Sequence, residues 1–154
     1  AIGLGLTHGP VHAEVILSKS GPKMVELAAR LPGGHITDLL DLAWGVDLHK
    51  AAIQQALGEE PSHAVSRTEP ASGAAIRFLH APPGRVGALE GLSEAQGSRG
   101  VVDVLLDVAL GDTIQPLCSS EERIGHVIAA GIDGYEAKRN ARTAADMLKF
   151  QTAR

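Results

Sequence analysis

Aromatic side chains are nearly missing from this 154-residue chain, which has one Trp, one Tyr and two Phe, 3% in all. So few rings cannot build the row of stacking platforms that single-stranded nucleic acid requires. A core must instead come from Ala, Val, Leu and Ile, within an apolar content of 44%. Positive charge is not in surplus either. The net charge of -4 has the wrong sign for a protein that grips a phosphate backbone, so no nucleic-acid partner is expected. One cysteine, Cys118, excludes an internal disulfide, which fits a reducing cytoplasm. It has no Cys-x-x-Cys or Gly-x-Ser-x-Gly context and reads as a structural thiol, not a nucleophile. No run approaches the ~20 apolar residues of a membrane span, so no membrane association is expected. The opening Ala1-Ile2-Gly3-Leu4-Gly5-Leu6 lacks an initiator Met and a charged segment ahead of the apolar one. It is no signal peptide, and the chain is expected to be a piece of a longer polypeptide.

The length suits one domain or two small ones. Two strands are expected first, Val11 to Leu17 and Met24 to Arg30, joined by Lys19-Ser20-Gly21-Pro22. Thr37 is placed to cap a short apolar helix ending at Trp44-Gly45, and Asp47 to cap a second from Leu48 to Leu57. Residues 59–73 mix Pro, Ser, Glu and Gly without period and read as a linker or exposed loop. Beyond it the texture changes to short strands: Ala74 to His80, Arg85 to Leu89, Val101 to Val108 and Ile124 to Ala130. Asp133 and Glu136 have capping-box spacing. Ala137, Ala141, Ala144, Ala145 and Leu148 then form an apolar stripe on what is expected to be the last element, a helix laid on a sheet.

The chemistry concentrates in the first hairpin. Pairing Ser18 with Pro22 across Lys19-Ser20-Gly21 places Glu14 directly opposite Glu26. Directly opposed side chains have Cβ atoms about 4.5–5.5 Å apart, and like charges there are destabilising. A cation or a proton between them removes the cost. Alternation puts His12 on the face of Glu14, and Ala28 and Arg30 on the face of Glu26. Magnesium prefers one or two carboxylates plus phosphate oxygens and water, which this pair supplies. Arg30 can clamp a phosphate or hold negative charge on a reacting carbonyl group. Gly33-Gly34 just beyond it is a turn bare enough for backbone N–H groups to approach an anion. A plainer reading fits the same spacing: a solvated hairpin face on which Arg30 only screens the glutamates, with His12 satisfied by its neighbours. Of the seven histidines, His8, His12, His35, His49, His63, His80 and His126, none pairs with Cys or His at zinc spacing.

Gly9-Pro10-Val11-His12-Ala13-Glu14, followed by Val25-Glu26-Leu27-Ala28-Ala29-Arg30-Leu31-Pro32-Gly33-Gly34, resembles the carboxyl-terminal metal-binding half of ATP-grasp enzymes. The similarity is to carboxylate–amine ligases of the amino-acid ligase type, with carbamoyl-phosphate-synthase-like proteins nearby. Gly45-Val46-Asp47, Ala81-Pro82-Pro83-Gly84-Arg85-Val86, Gly111-Asp112 and Arg123-Ile124-Gly125 extend the likeness along nearly the whole chain.

The resemblance implies an α+β fold in which residues 1–58 are the carboxyl-terminal part of the metal- and phosphate-binding domain. Residues 59–73 then link it to a small α+β domain, 74–154. It further implies ATP with Mg2+, or Mn2+, held by Glu14 and Glu26. Arg30 steadies an acyl phosphate and the tetrahedral intermediate, and Gly33, Gly34 and His12 lie at the substrate. The implied partners are ATP and small carboxylate and amine substrates. The product is an amide, released with ADP and phosphate. The family's glycine-rich phosphate loop, its phosphate-reaching lysines and its adenine-recognising strand have no match here, so the residues are expected to be inactive alone. Two other readings stay open: a phosphoribosylglycinamide-synthetase-like or carboxylase-like ATP-grasp enzyme, and a non-catalytic packing module able to form homo-oligomers through exposed apolar surface.

Overall fold

The computed structural model describes residues 2–61 and 69–153. His63 and the middle of the expected linker lie outside the described residues. The chain divides into two units, Ala1–Glu69 and Pro70–Arg154. No helix among the described residues is long and apolar enough to cross a membrane.

Unit 1 begins with a 3-10 turn, Ile2–Leu4, and the antiparallel hairpin of β1 (His12–Ser18) and β2 (Gly21–Ala28). The hairpin turns one residue earlier than the expected register. Gly21 takes φ 99°, a conformation favouring glycine, and pairs with Ser18, whose hydroxyl donates to the Gly21 carbonyl at 2.6 Å. Leu17 therefore faces Pro22, and Val15 faces Met24. A bulge then leaves Val25 unopposed and restores the register, so Glu14 does face Glu26, with His12 opposite Ala28. Without that extra residue the one-residue slip would turn one set of side chains to the other face.

Two helices follow, α1 (Ile36–Trp44) and α2 (Leu48–Ala56). Thr37 does not cap α1. His35 stands at the N-cap in left-handed conformation (φ 63°, ψ 19°), and Thr37 lies buried inside the first turn. Its hydroxyl meets His49 Nε2 on α2 at 3.0 Å, so it ties the helices together. Asp47 caps α2 as expected, accepting from the Lys50 amide at 2.8 Å. Val46 between the helices is buried.

Unit 2 runs β3 (Gly73–Phe78), β4 (Gly84–Glu90), α3 (Leu92–Gln96), β5 (Val101–Leu106), β6 (Thr113–Ile114), a 3-10 turn (Ser120–Glu122), β7 (Gly125–Gly131), α4 (Gly134–Met147) and β8 (Lys149–Ala153). The strands form two three-stranded antiparallel sheets, ordered β3-β7-β5 and β6-β4-β8. The central strand β7 is buried along most of its length, and α4 packs on β7 and β3 through Ala137, Ala141 and Ala144. Small residues allow that close approach. A Cβ on Gly73 would lie 2.0 Å from the Asp133 carbonyl carbon, and one on Gly131 would lie 2.5 Å from the Ala137 nitrogen. The fold is thus α+β with a core of Ala, Val, Leu and Ile, but α4 is not the last element. β8 follows it and pairs with β4, setting Phe150 opposite Leu89. Asp133 caps α4 by accepting from the Glu136 amide, whereas the Glu136 carboxylate accepts from the Ile132 amide, one residue beyond the reciprocal box.

The reciprocal box appears instead at the 3-10 turn, where the Ser119 hydroxyl accepts from the Glu121 amide and Glu122 accepts from the Ser119 amide. Hydrogen bonds from the Ser119 hydroxyl and then its amide hold the Glu122 carboxyl below the ordinary value of 4.5. A carboxyl depressed on folding contributes stability that is present above its unfolded pKa and lost as pH falls through the folded one. Carboxyl-carbon titration of Glu122 should therefore give a midpoint below 4.5. Ser119→Ala should move that midpoint up toward the ordinary value, and an unchanged midpoint would exclude the serine hydroxyl as a cause.

Candidate functional site

The hairpin places four polar side chains side by side. β1 contributes His12 and Glu14, β2 contributes Glu26, and Arg30 follows two residues past the end of β2. His12 Nε2 lies 3.3 Å from Glu14 Oε1, and Arg30 Nη2 lies 3.7 Å from Glu26 Oε1. Arg30 Nη1 also donates to the Leu31 carbonyl at 3.1 Å. Each glutamate thus uses one carboxylate oxygen on a flanking partner. Their second oxygens, Glu14 Oε2 and Glu26 Oε2, have no protein partner among the described residues.

Both glutamates keep 52% of their side-chain surface exposed, and Arg30 keeps 56%. Ion pairs so exposed contribute at most about 1 kcal/mol each. They soften the repulsion across the strands while leaving the carboxylates open to solvent and to a ligand. His12 is the sheltered member, at 18%.

This donor set fits one kind of metal. Among the described residues no group of three or more His, Cys, Asp and Glu could hold an ion. A complete protein cage of the structural zinc or calcium type is therefore not offered there. Two facing carboxylates with free oxygens are instead what magnesium takes when phosphate and water complete its shell.

Beyond Arg30 the chain enters the turn Gly33-Gly34-His35. Gly34 and His35 have φ 64° and 63°, and a Cβ on Gly33 would meet nothing within 4 Å. The space beside Gly33 is therefore open. His35 is the residue that sequence reasoning passed over. A non-glycine residue in this conformation is uncommon, and no composition signal announces it. Its Nδ1 lies 2.7 Å from Asp38 Oδ2 across the first turn of α1.

The other sequence candidates do not join this cluster. His8 contacts Thr7, and His49 contacts Thr37. His126 is buried in β7 and bonded to Asp103 at 2.9 Å. Cys118 is a free, exposed thiol.

Residues 77–153 match the family model described as L-amino acid ligase C-terminal domain 2. Protein y4rH of Sinorhizobium fredii, itself uncharacterized, is 32% identical over 126 residues, 82% of this chain and 26% of that protein. Carnosine synthase 1 of Gallus gallus is 39% identical over 57 residues, 37% of this chain and 6% of the synthase. Among solved structures, L-amino acid ligase from Bacillus licheniformis superposes with a TM-score of 0.82 at 22% identity. That alignment covers 99% of this chain and 38% of the ligase. The chain thus spans about a quarter of y4rH and a smaller part of the synthase. The family match falls within unit 2, whereas the hairpin belongs to unit 1.

Proposed function

This chain belongs to the L-amino acid ligase family, within the ATP-grasp ligases, through its C-terminal domain 2, and from that premise we propose that its hairpin supplies the metal- and anion-binding half of a carboxylate–amine ligase site. The observation that carries the reading is the opposition of Glu14 and Glu26, each with one free carboxylate oxygen, beside Arg30. In this reading residues 1–58 are the carboxyl-terminal part of the metal- and phosphate-binding domain, and residues 74–154 are the small domain that follows it.

Glu14 and Glu26 would hold Mg2+, or Mn2+, which would supply positive charge to the phosphates of ATP. Arg30 presents its guanidinium to the carboxyl group that is activated, holding the negative charge that develops there when the amine attacks. The open turn at Gly33 and Gly34 lets backbone approach the same group. His12, sheltered beside Glu14, faces the substrate. Positioning and charge neutralisation are the main contributions a protein can make to phosphoryl transfer. The overall reaction is ATP-dependent amide formation through an acyl phosphate, with ADP and phosphate as the other products. Residues 1–154 alone are inactive in this reading, because nothing in them matches the phosphate loop or the adenine-binding strand.

A glycinamide ligase or a carboxylase would use the same carboxylates and arginine. The family match and the identity shared with a carnosine synthase favour amide formation between amino-acid-like substrates. The apolar surface of the hairpin, where Leu17 is 87% exposed, supports self-association of the chain.

Paramagnetic broadening by Mn2+ tests the site directly. Titrated into this chain, Mn2+ should broaden the Glu14 and Glu26 side-chain signals before those of any other carboxylate. Glu26→Gln should remove that preference. Uniform broadening over all surface carboxylates would defeat the assignment.

A further inference from the structure

We propose that unit 2 carries a second binding site, a cleft for a small oxyanion such as a carboxylate or phosphate group, built on Arg77, Arg123 and His80. The cleft has a volume of about 520 Å³ and lies between the end of β3 and the segment around the 3-10 turn. Arg77, Phe78 and His80 form one wall, and Ser119, Ser120 and Arg123 the other. None of its described lining residues is acidic. It shares no residue with the hairpin and does not depend on the ligase reading.

The Arg123 guanidinium lies 3.7 Å from the centroid of the Phe78 ring. Such a stack engages the flat face of the cation and fixes its plane. It leaves the in-plane N–H donors, whose fork matches the two oxygens of a carboxylate or phosphate. Among the described residues neither Arg123 nor Arg77 makes an ion pair or donates to a protein acceptor. Glu122 accepts from the Ser119 amide and Asp146 pairs with Arg142 at 3.7 Å, while Asp107 and Glu121 border Arg123 in a neighbouring cavity and do not line this cleft. Arg77 also borders a second cavity with Lys138 and Arg142, so cationic groups flank it there as well.

A concave surface lined by cations and by no acid focuses a positive potential. The Phe78 ring excludes water from one side of Arg123, which strengthens the attraction for an anion. Ser120 adds a hydroxyl to the same wall.

The test is a titration of the whole chain with sodium phosphate and, separately, with sodium acetate, at ionic strength held constant with chloride. The readout is the Arg123 Nε–H and Phe78 ring signals by NMR. A saturable shift is expected with at least one of the two. Phosphate alone, acetate alone or both would each support the site and identify which oxyanion it takes.

Arg123→Gln and Arg77→Gln should each weaken binding about tenfold, the effect of losing a charge-assisted hydrogen bond. Phe78→Leu, which keeps both charges, should weaken it by a smaller factor. Lys23→Gln, on the hairpin, should change nothing. Shifts that rise linearly with both salts, or affinities that Arg77→Gln and Phe78→Leu leave intact, would overturn the proposal.

Discussion

Glu26→Gln should slow amide synthesis by about a hundredfold to a thousandfold in the ligase that we propose these residues serve, while leaving the hairpin as stable as before or slightly more so. The two effects have opposite origins. In the folded protein without metal, Glu26 faces Glu14 across the ladder, and directly opposed like charges cost about 0.2–1 kcal/mol. Removing one charge relieves that cost. It also removes the exposed pair with Arg30, which is itself weak. The net change in stability is therefore within about 0.5 kcal/mol. Turnover behaves differently, because a carboxylate that holds a metal contributes where charge develops. Loss of one such electrostatic contact lowers kcat by about a hundredfold to a thousandfold. Arg30→Lys should also be severe, since a lysine keeps the charge but not the fork. Steady-state turnover with unfolding of the same variants decides the matter. If the hairpin is only a packing face, Glu26→Gln leaves turnover unchanged.

The facing glutamates were legible because side chains alternate along a strand, and alternation needs no knowledge of the rest of the fold. The route to that pairing was not legible. The turn at Gly21 and the bulge at Val25 displace the register in opposite senses. Nothing in the composition around Val25 marks an unopposed residue.

Helix α4 was legible for a similar reason, since Ala137, Ala141 and Ala144 form a stripe at helical spacing and all three are buried. Features that depend on distant partners were hidden. Thr37 has the chemistry of a cap, but its hydroxyl partner is His49, twelve residues on. β8 is five residues long and exists because β4, far back in the chain, offers it an edge. β6 has two residues, too few to carry any period. His126 falls within a strand that the sequence marks, yet its partner Asp103 lies 23 residues away on β5. The cleft around Arg123 was missed for the same reason, because Phe78 and Arg123 are adjacent only after β3 and the 3-10 turn are placed.

Gly125→Ala and Gly134→Ala should change stability in opposite directions, although each adds the same methyl group to unit 2. Gly125 opens the central strand β7 at φ 139°, in the region that side chains avoid. A Cβ there would lie 2.1 Å from the Leu105 carbonyl oxygen and 3.0 Å from the Leu106 Cα. Both are backbone atoms of the paired strand β5, so no rotamer change relieves the clash. The Gly125 carbonyl also accepts from the Leu79 amide at 2.9 Å, and a shift of this residue disturbs that bond too. Strained backbone alone costs about 1–3 kcal/mol, and the displaced ladder adds to it, so unit 2 should lose about 3 kcal/mol or more. Gly134 is the first residue of α4, and its added Cβ would meet nothing within 4 Å. Alanine there restricts only the unfolded chain and should stabilise by about 0.4–1 kcal/mol. Hydrogen exchange of the Val127 amide, at the centre of β7, reads both substitutions in the full chain. Equal and small effects at the two positions would mean that β5 and β7 are not held in the register described.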